Sequence, residues 1–173
     1  MEAKELLAQL SREQLEQMVV ASARNIMAMD GFWFQAIERR EGMDAAMDYD
    51  LAAWTGYTVT EARRIKAVLG LPERAGLEGL AQALPLKASS LSSEWSCELD
   101  EAKGCLVFKI TKCRTQVARK AKGMPYHPCK PVGLVEYAGF ARTIDDRIAC
   151  ECLSCFPEVT DDSYSCGWRF TLE

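Results

Sequence analysis

Ser89-Ser90-Leu91-Ser92-Ser93-Glu94-Trp95-Ser96-Cys97-Glu98-Leu99 is the stretch at which the chain changes character. Before it, apolar residues recur every three or four positions, the period of a helix that packs on one side. After it they alternate, as in a strand with one covered face. Trp95, Cys97 and Leu99 alternate with polar neighbours, and so do Leu106, Phe108 and Ile110 beyond the turn Asp100-Glu101-Ala102-Lys103-Gly104. A β-hairpin is expected there.

Working back from this point, the first half reads as helix. Ser11 and Gln14 form a capping-box pair, and Leu15, Met18, Val19, Ser22, Ile26, Met29, Trp33 and Ile37 predict a helix from about Arg12 to Arg40 that buries this stripe. Asp30-Gly31 inside it marks a kink or the close approach of another group. Gly42 ends it. A second helix, Asp44 to Thr55, is expected to turn Ala45, Tyr49, Ala52 and Ala53 inward. A third is expected from the caps Thr58 and Thr60 to Gly70, and a fourth from Leu77 to Leu84.

Working forward, Thr115 to Lys122 reads as a basic helix. The segment Pro125-Tyr126-His127-Pro128-Cys129-Lys130-Pro131 is a stiff connector, because three prolines fix their own φ and restrain the residues before them. Pro131 suits the first turn of a helix from Val132 to about Thr143. A last hairpin joins Arg147–Leu153 to Ser165–Leu172. The expected fold class is α+β: a helical region, 1–86, then β-β-α-α-β-β, 87–173, with helices covering an antiparallel sheet.

Composition narrows the function. At 173 residues, 49% apolar and 27% charged, the chain is that of a globular protein with an ordinary core. Neither a signal peptide nor a membrane span is read from it, and a reducing cytosol is expected. All eight cysteines lie beyond residue 96. Residues 1–96 hold 10 Lys/Arg against 14 Asp/Glu, and residues 97–173 hold 11 against 11. Ala102 to Val135 has no acid and eight cations, which complement the acidic first half or attract an anionic small molecule. Net charge −4 and the lack of any nucleic-acid-binding motif argue against nucleic acid, and no phosphate-binding glycine loop is present.

Cys152-Leu153-Ser154-Cys155 is a C-x-x-C at the end of a strand, and Cys166 opens the strand that returns beside it. Cys129, just before a helix N-terminus, supplies a fourth thiol. Four such sulfurs suit a structural zinc; Cys150 and His127 are alternative ligands, and an iron–sulfur cluster is the other metal such a density of thiols can hold. The competing reading is that these cysteines are small buried apolar side chains. His127, the only histidine, fits a pocket wall better than a catalytic set. Cys113, with Arg114 and Arg119 near, is the expected low-pKa nucleophile if the chain is a hydrolase. Trp95, Phe108, Glu136, Tyr137 and Phe140 are candidate pocket residues between sheet and helices.

Residues Cys113 to Cys166 resemble the 4-vinyl reductase-type small-molecule-binding domain, which is also the sensor module of phenol-responsive bacterial transcription activators and is related to L-2-amino-thiazoline-4-carboxylic acid hydrolases. The resemblance implies a zinc at Cys129, Cys152, Cys155 and Cys166. With Asp30-Gly31-Phe32-Trp33-Phe34, His127-Pro128-Cys129-Lys130 and Cys166-Gly167-Trp168-Arg169-Phe170, the whole chain is also similar to an uncharacterised family of cytosolic cysteine-containing bacterial and archaeal proteins. The sequence departs from the sensors in its helical first half and carries no DNA-binding or ATPase motif. The function expected is therefore binding of a small organic, anionic ligand by a zinc-containing protein. A hydrolase of a small heterocyclic or amide-like substrate, and a metal-stabilised regulatory or interaction subunit, are the alternatives. A homodimer is the expected assembly.

Overall fold

The capping pair at Ser11 forms as expected in the computed structural model, which describes residues 2–173. The Ser11 hydroxyl accepts from the Gln14 amide at 3.2 Å, and the Gln14 side chain accepts from the Ser11 amide at 2.8 Å. After a short α1 (Ala3–Gln9), this cap starts α2 (Arg12–Glu41), a helix that runs unbroken through Asp30-Gly31. Gly42, at φ 91°, turns the chain into α3 (Met43–Leu69), which Gly70 ends in the left-handed region. α4 (Gly76–Ala83), a 3-10 turn (Leu84–Leu86) and α5 (Ala88–Leu91) lead to the sheet.

The two helices expected between Asp44 and Gly70 are one. Thr55, the expected helix end, and Thr60, an expected cap, stay inside it because their hydroxyls donate one turn back to the Leu51 and Gly56 carbonyls. Thr58, fully buried, donates to the Glu136 carbonyl at 2.8 Å. Nor do Ala45, Tyr49, Ala52 and Ala53 face inward. Tyr49 is 57% exposed, while Ala46, Asp50, Trp54, Thr58 and Glu61 are buried. The inner face is partly polar, so hydrophobicity alone points to the wrong side.

The same holds for α2. Its expected buried stripe faces solvent, and Ala23 and Phe34 are its buried residues.

The four strands are β1 (Glu94–Asp100), β2 (Cys105–Lys112), β3 (Ile148–Cys155) and β4 (Cys166–Leu172), in the order β1-β2-β4-β3 and antiparallel throughout. Between the hairpins come α6 (Arg114–Ala121) and α7 (Lys130–Ile144). Alternation places Leu106, Phe108, Ile110, Trp168 and Phe170 on one face, fully or almost fully buried against α7 and α4. Ala62 of α3 and Leu77 and Leu80 of α4 join this core, so helical and sheet halves share it. Lys66 Nζ ties α3 to the end of α7 by donating to the Ile144 carbonyl at 2.6 Å. No helix among the described residues is long and apolar enough to cross a membrane.

Candidate functional site

Gln116 of α6 organises the connector before α7. Its buried side chain donates to the His127 carbonyl at 2.9 Å and accepts from the His127 amide at 3.0 Å, holding that residue as a strand would. Arg119, one turn on, donates to the Pro125 carbonyl at 2.7 Å and forks onto both Glu38 oxygens at 2.8 and 2.7 Å. The basic stretch thus does meet the acidic first half, through a buried bidentate pair between α6 and α2.

Held this way, His127 points between α2 and α3. Its ring stands edge-on to Phe34 at 4.5 Å, and Nε2 lies 3.5 Å from the Asp50 carboxylate. Burial works against charging the imidazole, but Asp50 and the neighbouring Cys129 sulfur outweigh it and raise its pKa to about 9. Cys129 answers in the opposite sense. Its thiol is drawn down to about 5, first by the Cys155 thiol 3.5 Å away and, against burial, by His127 and by Gln116 Nε2 at 3.5 Å. Each of the two favours the charged form of the other, and Asp50 adds to this on His127.

These groups border a cavity of about 340 Å³ between α2, α3, α6, the start of α7 and the Cys155–Cys166 end of the sheet. Its walls are mostly apolar and include the rings of Phe32, Phe34, Trp54, Tyr137 and Trp168. Trp168 stacks on Tyr137 at 4.5 Å, and its indole N–H is buried without a partner. Asp30 lies beside Gly31 on the same wall and accepts from Trp54 Nε1 at 3.2 Å. Burial, and Asp50 next to it, push its carboxyl up to about 6. The irregular Asp30-Gly31 pair therefore makes no kink: it borders empty space. Arg114 and Lys122 are the exposed cations on the border.

Glu136 also lines the cavity but is engaged behind it. Lys87, wholly buried, sits 3.1 Å from Glu136 and 3.5 Å from Glu61, with its ammonium 4.4 Å from the Phe140 ring centre. Ser89 donates to Glu136, and Tyr57 and the Ala88 amide donate to Glu61.

Of the residues singled out by sequence, Cys113, His127, Cys129, Glu136, Tyr137, Cys155 and Cys166 all border the cavity. Phe108 and Phe140 are fully buried in the core, and Trp95 is 39% exposed on the sheet, stacked on Phe108 at 5.7 Å; none of these three borders the cavity. Cys152 lies off it too, half-buried on β3 opposite Trp168. Cys113 differs from expectation: burial, with the Cys166 and Cys129 thiols near, raises its thiol to about 12, and Arg119, the cation expected to lower it, is committed to Glu38. Cys129 is the acidified thiol instead. Asp30, Asp50, Phe34, Trp54, Gln116 and Trp168 were missed as site residues, and only Asp30 carried a signal, its pairing with a mid-helix glycine.

Cys155 and Cys166 are cross-strand partners, so β4 brings a third sulfur to the Cys129–Cys155 pair. Cys155 is held well above the usual thiol range by its two sulfur neighbours. All eight cysteines are free. Among the described residues, no group of three or more His, Cys, Asp or Glu side chains is arranged to hold a metal ion as it stands.

The chain belongs to the Family of unknown function (DUF6125), whose model matches residues 8–172. None of the curated proteins matches it.

Proposed function

We propose that this chain binds a small, flat organic molecule in the cavity, above a floor of thiols that holds a structural zinc. The cavity itself carries the reading: about 340 Å³, largely apolar and bordered by Phe32, Phe34, Trp54, Tyr137 and Trp168. The size and apolar lining suit a ligand of one or two rings. Exposed Arg114 and Lys122 on the border suit an anionic substituent.

The zinc would be held by Cys129, Cys152, Cys155 and Cys166. Supporting this, the Cys129 and Cys155 sulfurs are 3.5 Å apart, near the ~3.8 Å edge of a tetrahedron with 2.3 Å zinc–sulfur bonds. Cys166 lies across from Cys155, and Cys129 already favours the thiolate. Four thiolates leave no open coordination position, so the ion would clamp the α7 N-terminus to the β3–β4 hairpin without taking part in chemistry. Free thiols in this number suit a cytosolic protein.

A second reading, a hydrolase, is favoured by one observation: Cys129, His127 and Asp50 border the same cavity, with His127 Nε2 3.5 Å from Asp50. The readings separate on Cys129. As a zinc ligand it resists iodoacetamide at about pH 6; as a nucleophile it is alkylated there first.

Binding is tested by titrating 1-naphthoate and 1-naphthylmethylammonium while following tryptophan fluorescence. Saturable binding at one molecule per chain, tighter for naphthoate and abolished by Ala28→Trp, which fills the cavity, is the expected result. Absence of saturable binding by either probe, or binding that Ala28→Trp leaves intact, overturns the reading.

A further inference from the structure

The stripe that the sequence assigns to the core lies in water along α2. Leu15, Met18, Val19, Ile26, Met29, Phe32 and Trp33 are 38–67% exposed along one side of α2. No charged residue interrupts the line between Leu15 and Trp33, which passes through Ser22 and Asn25, and no other described residues bury it. Its central residues, Leu15, Val19, Ser22, Ile26, Met29 and Trp33, are spaced 4, 3, 4, 3 and 4, a mean of 3.6 that keeps them in one straight line along the helix, where a second helix can lie against all of them. The side of α2 that does face the core uses Ala23 and Phe34, off this line.

We infer that α2 pairs with α2 of a second copy of this chain, antiparallel, about a two-fold axis near residue 24. In that register Leu15 meets Trp33 of the other copy, Val19 meets Met29, and Ser22 meets Ile26, so each large side chain faces a smaller one. A parallel pair would set Trp33 on Trp33 and Ser22 on Ser22, a bulge and a gap. The helix dipoles also oppose in the antiparallel pair. The surface suffices: the seven side chains show on the order of 700 Å², against the ~800 Å² per partner of a standard interface. A monomer's largest exposed apolar patch is usually about 300–600 Å². An isologous contact matches one patch to itself, so a single self-complementary stripe is enough. Phe32 borders both the stripe and the cavity, which places the second copy beside the ligand site.

Sedimentation velocity of the full chain tests the pairing. It predicts twice the 19.3 kDa chain mass at about 10 µM protein, and a dissociation constant raised at least about 100-fold by Val19→Glu or Met29→Glu. Both side chains are more than half exposed, so each variant keeps its helix content by circular dichroism. A single-chain mass for the parent at about 100 µM overturns the inference and assigns the stripe to a different partner; a dimer that survives both substitutions also overturns it. A benzophenone photo-cross-linker in place of Leu15 reads the orientation. Capture of a peptide containing Trp33 supports the antiparallel pair, and capture of one around residue 15 contradicts it.

Discussion

Asp30 holds a proton that solvent-exposed aspartates release. Trp54 Nε1 donates to it, but burial and the facing carboxylates Asp50 and Glu136 outweigh that bond and the nearby His127, and its pKa rises from 3.8 to about 6. A carboxyl whose pKa is raised by folding favours the fold below about pH 4, and that contribution is lost as pH climbs through about 6. Asp30→Asn keeps an acceptor for Trp54 and carries no charge. It should melt higher than the parent at about pH 7.5, with the gain gone by about pH 4. Gly133 makes a second test, because a Cβ there would stand 2.6 Å from the fully buried Trp168 ring. Gly133→Ala should cost about 1–3 kcal/mol in denaturant melts, the usual cost of overpacking where the neighbour cannot yield. At this scale the sequence told most about the cysteines and His127, whose types announce chemistry. Asp50 and Trp54 stayed hidden because their roles come from helices that are distant in the chain.

Among the elements, α3, α5 and α7 meet at an ammonium group. Among the described residues, Lys87 is the only cation within reach of both Glu61 and Glu136, and the Phe140 ring covers it. Lys87→Met should cost roughly 3–5 kcal/mol, because two carboxylates would remain buried without their cation. Changing Glu61 and Glu136 to Gln in the same chain should recover most of it, measured as chemical denaturation midpoints. Periodicity located α2, α7 and both hairpins, since long regular patterns and proline or glycine boundaries are local signals. It failed on α3 twice over: threonines that satisfied their hydroxyls within the helix looked like caps, and a polar inner face looked like an outer one. On α2 the period was real, but its stripe faces away from this chain's own core. The pairing of β2 with β4 is non-local and had no signature.

At the scale of the molecule, helices and sheet enclose one space, and three of the four proposed zinc ligands, Cys129, Cys155 and Cys166, border it. Zinc binding by thiols is linked to folding, so Cys152→Ser should lower the melting temperature even though Cys152 does not border the cavity. Buried-cysteine packing alone would make this half-buried position nearly neutral. The ion would also lower the net charge from −4 to −6, because four thiolates around a divalent cation add −2. A zinc-clamped ligand cavity is the account's central claim, and zinc K-edge X-ray absorption with metal analysis of untagged chain tests it most directly. The account predicts about one zinc per chain with four sulfur neighbours at about 2.3 Å. Chain free of metal, with all eight thiols titrating in the folded state, would contradict it.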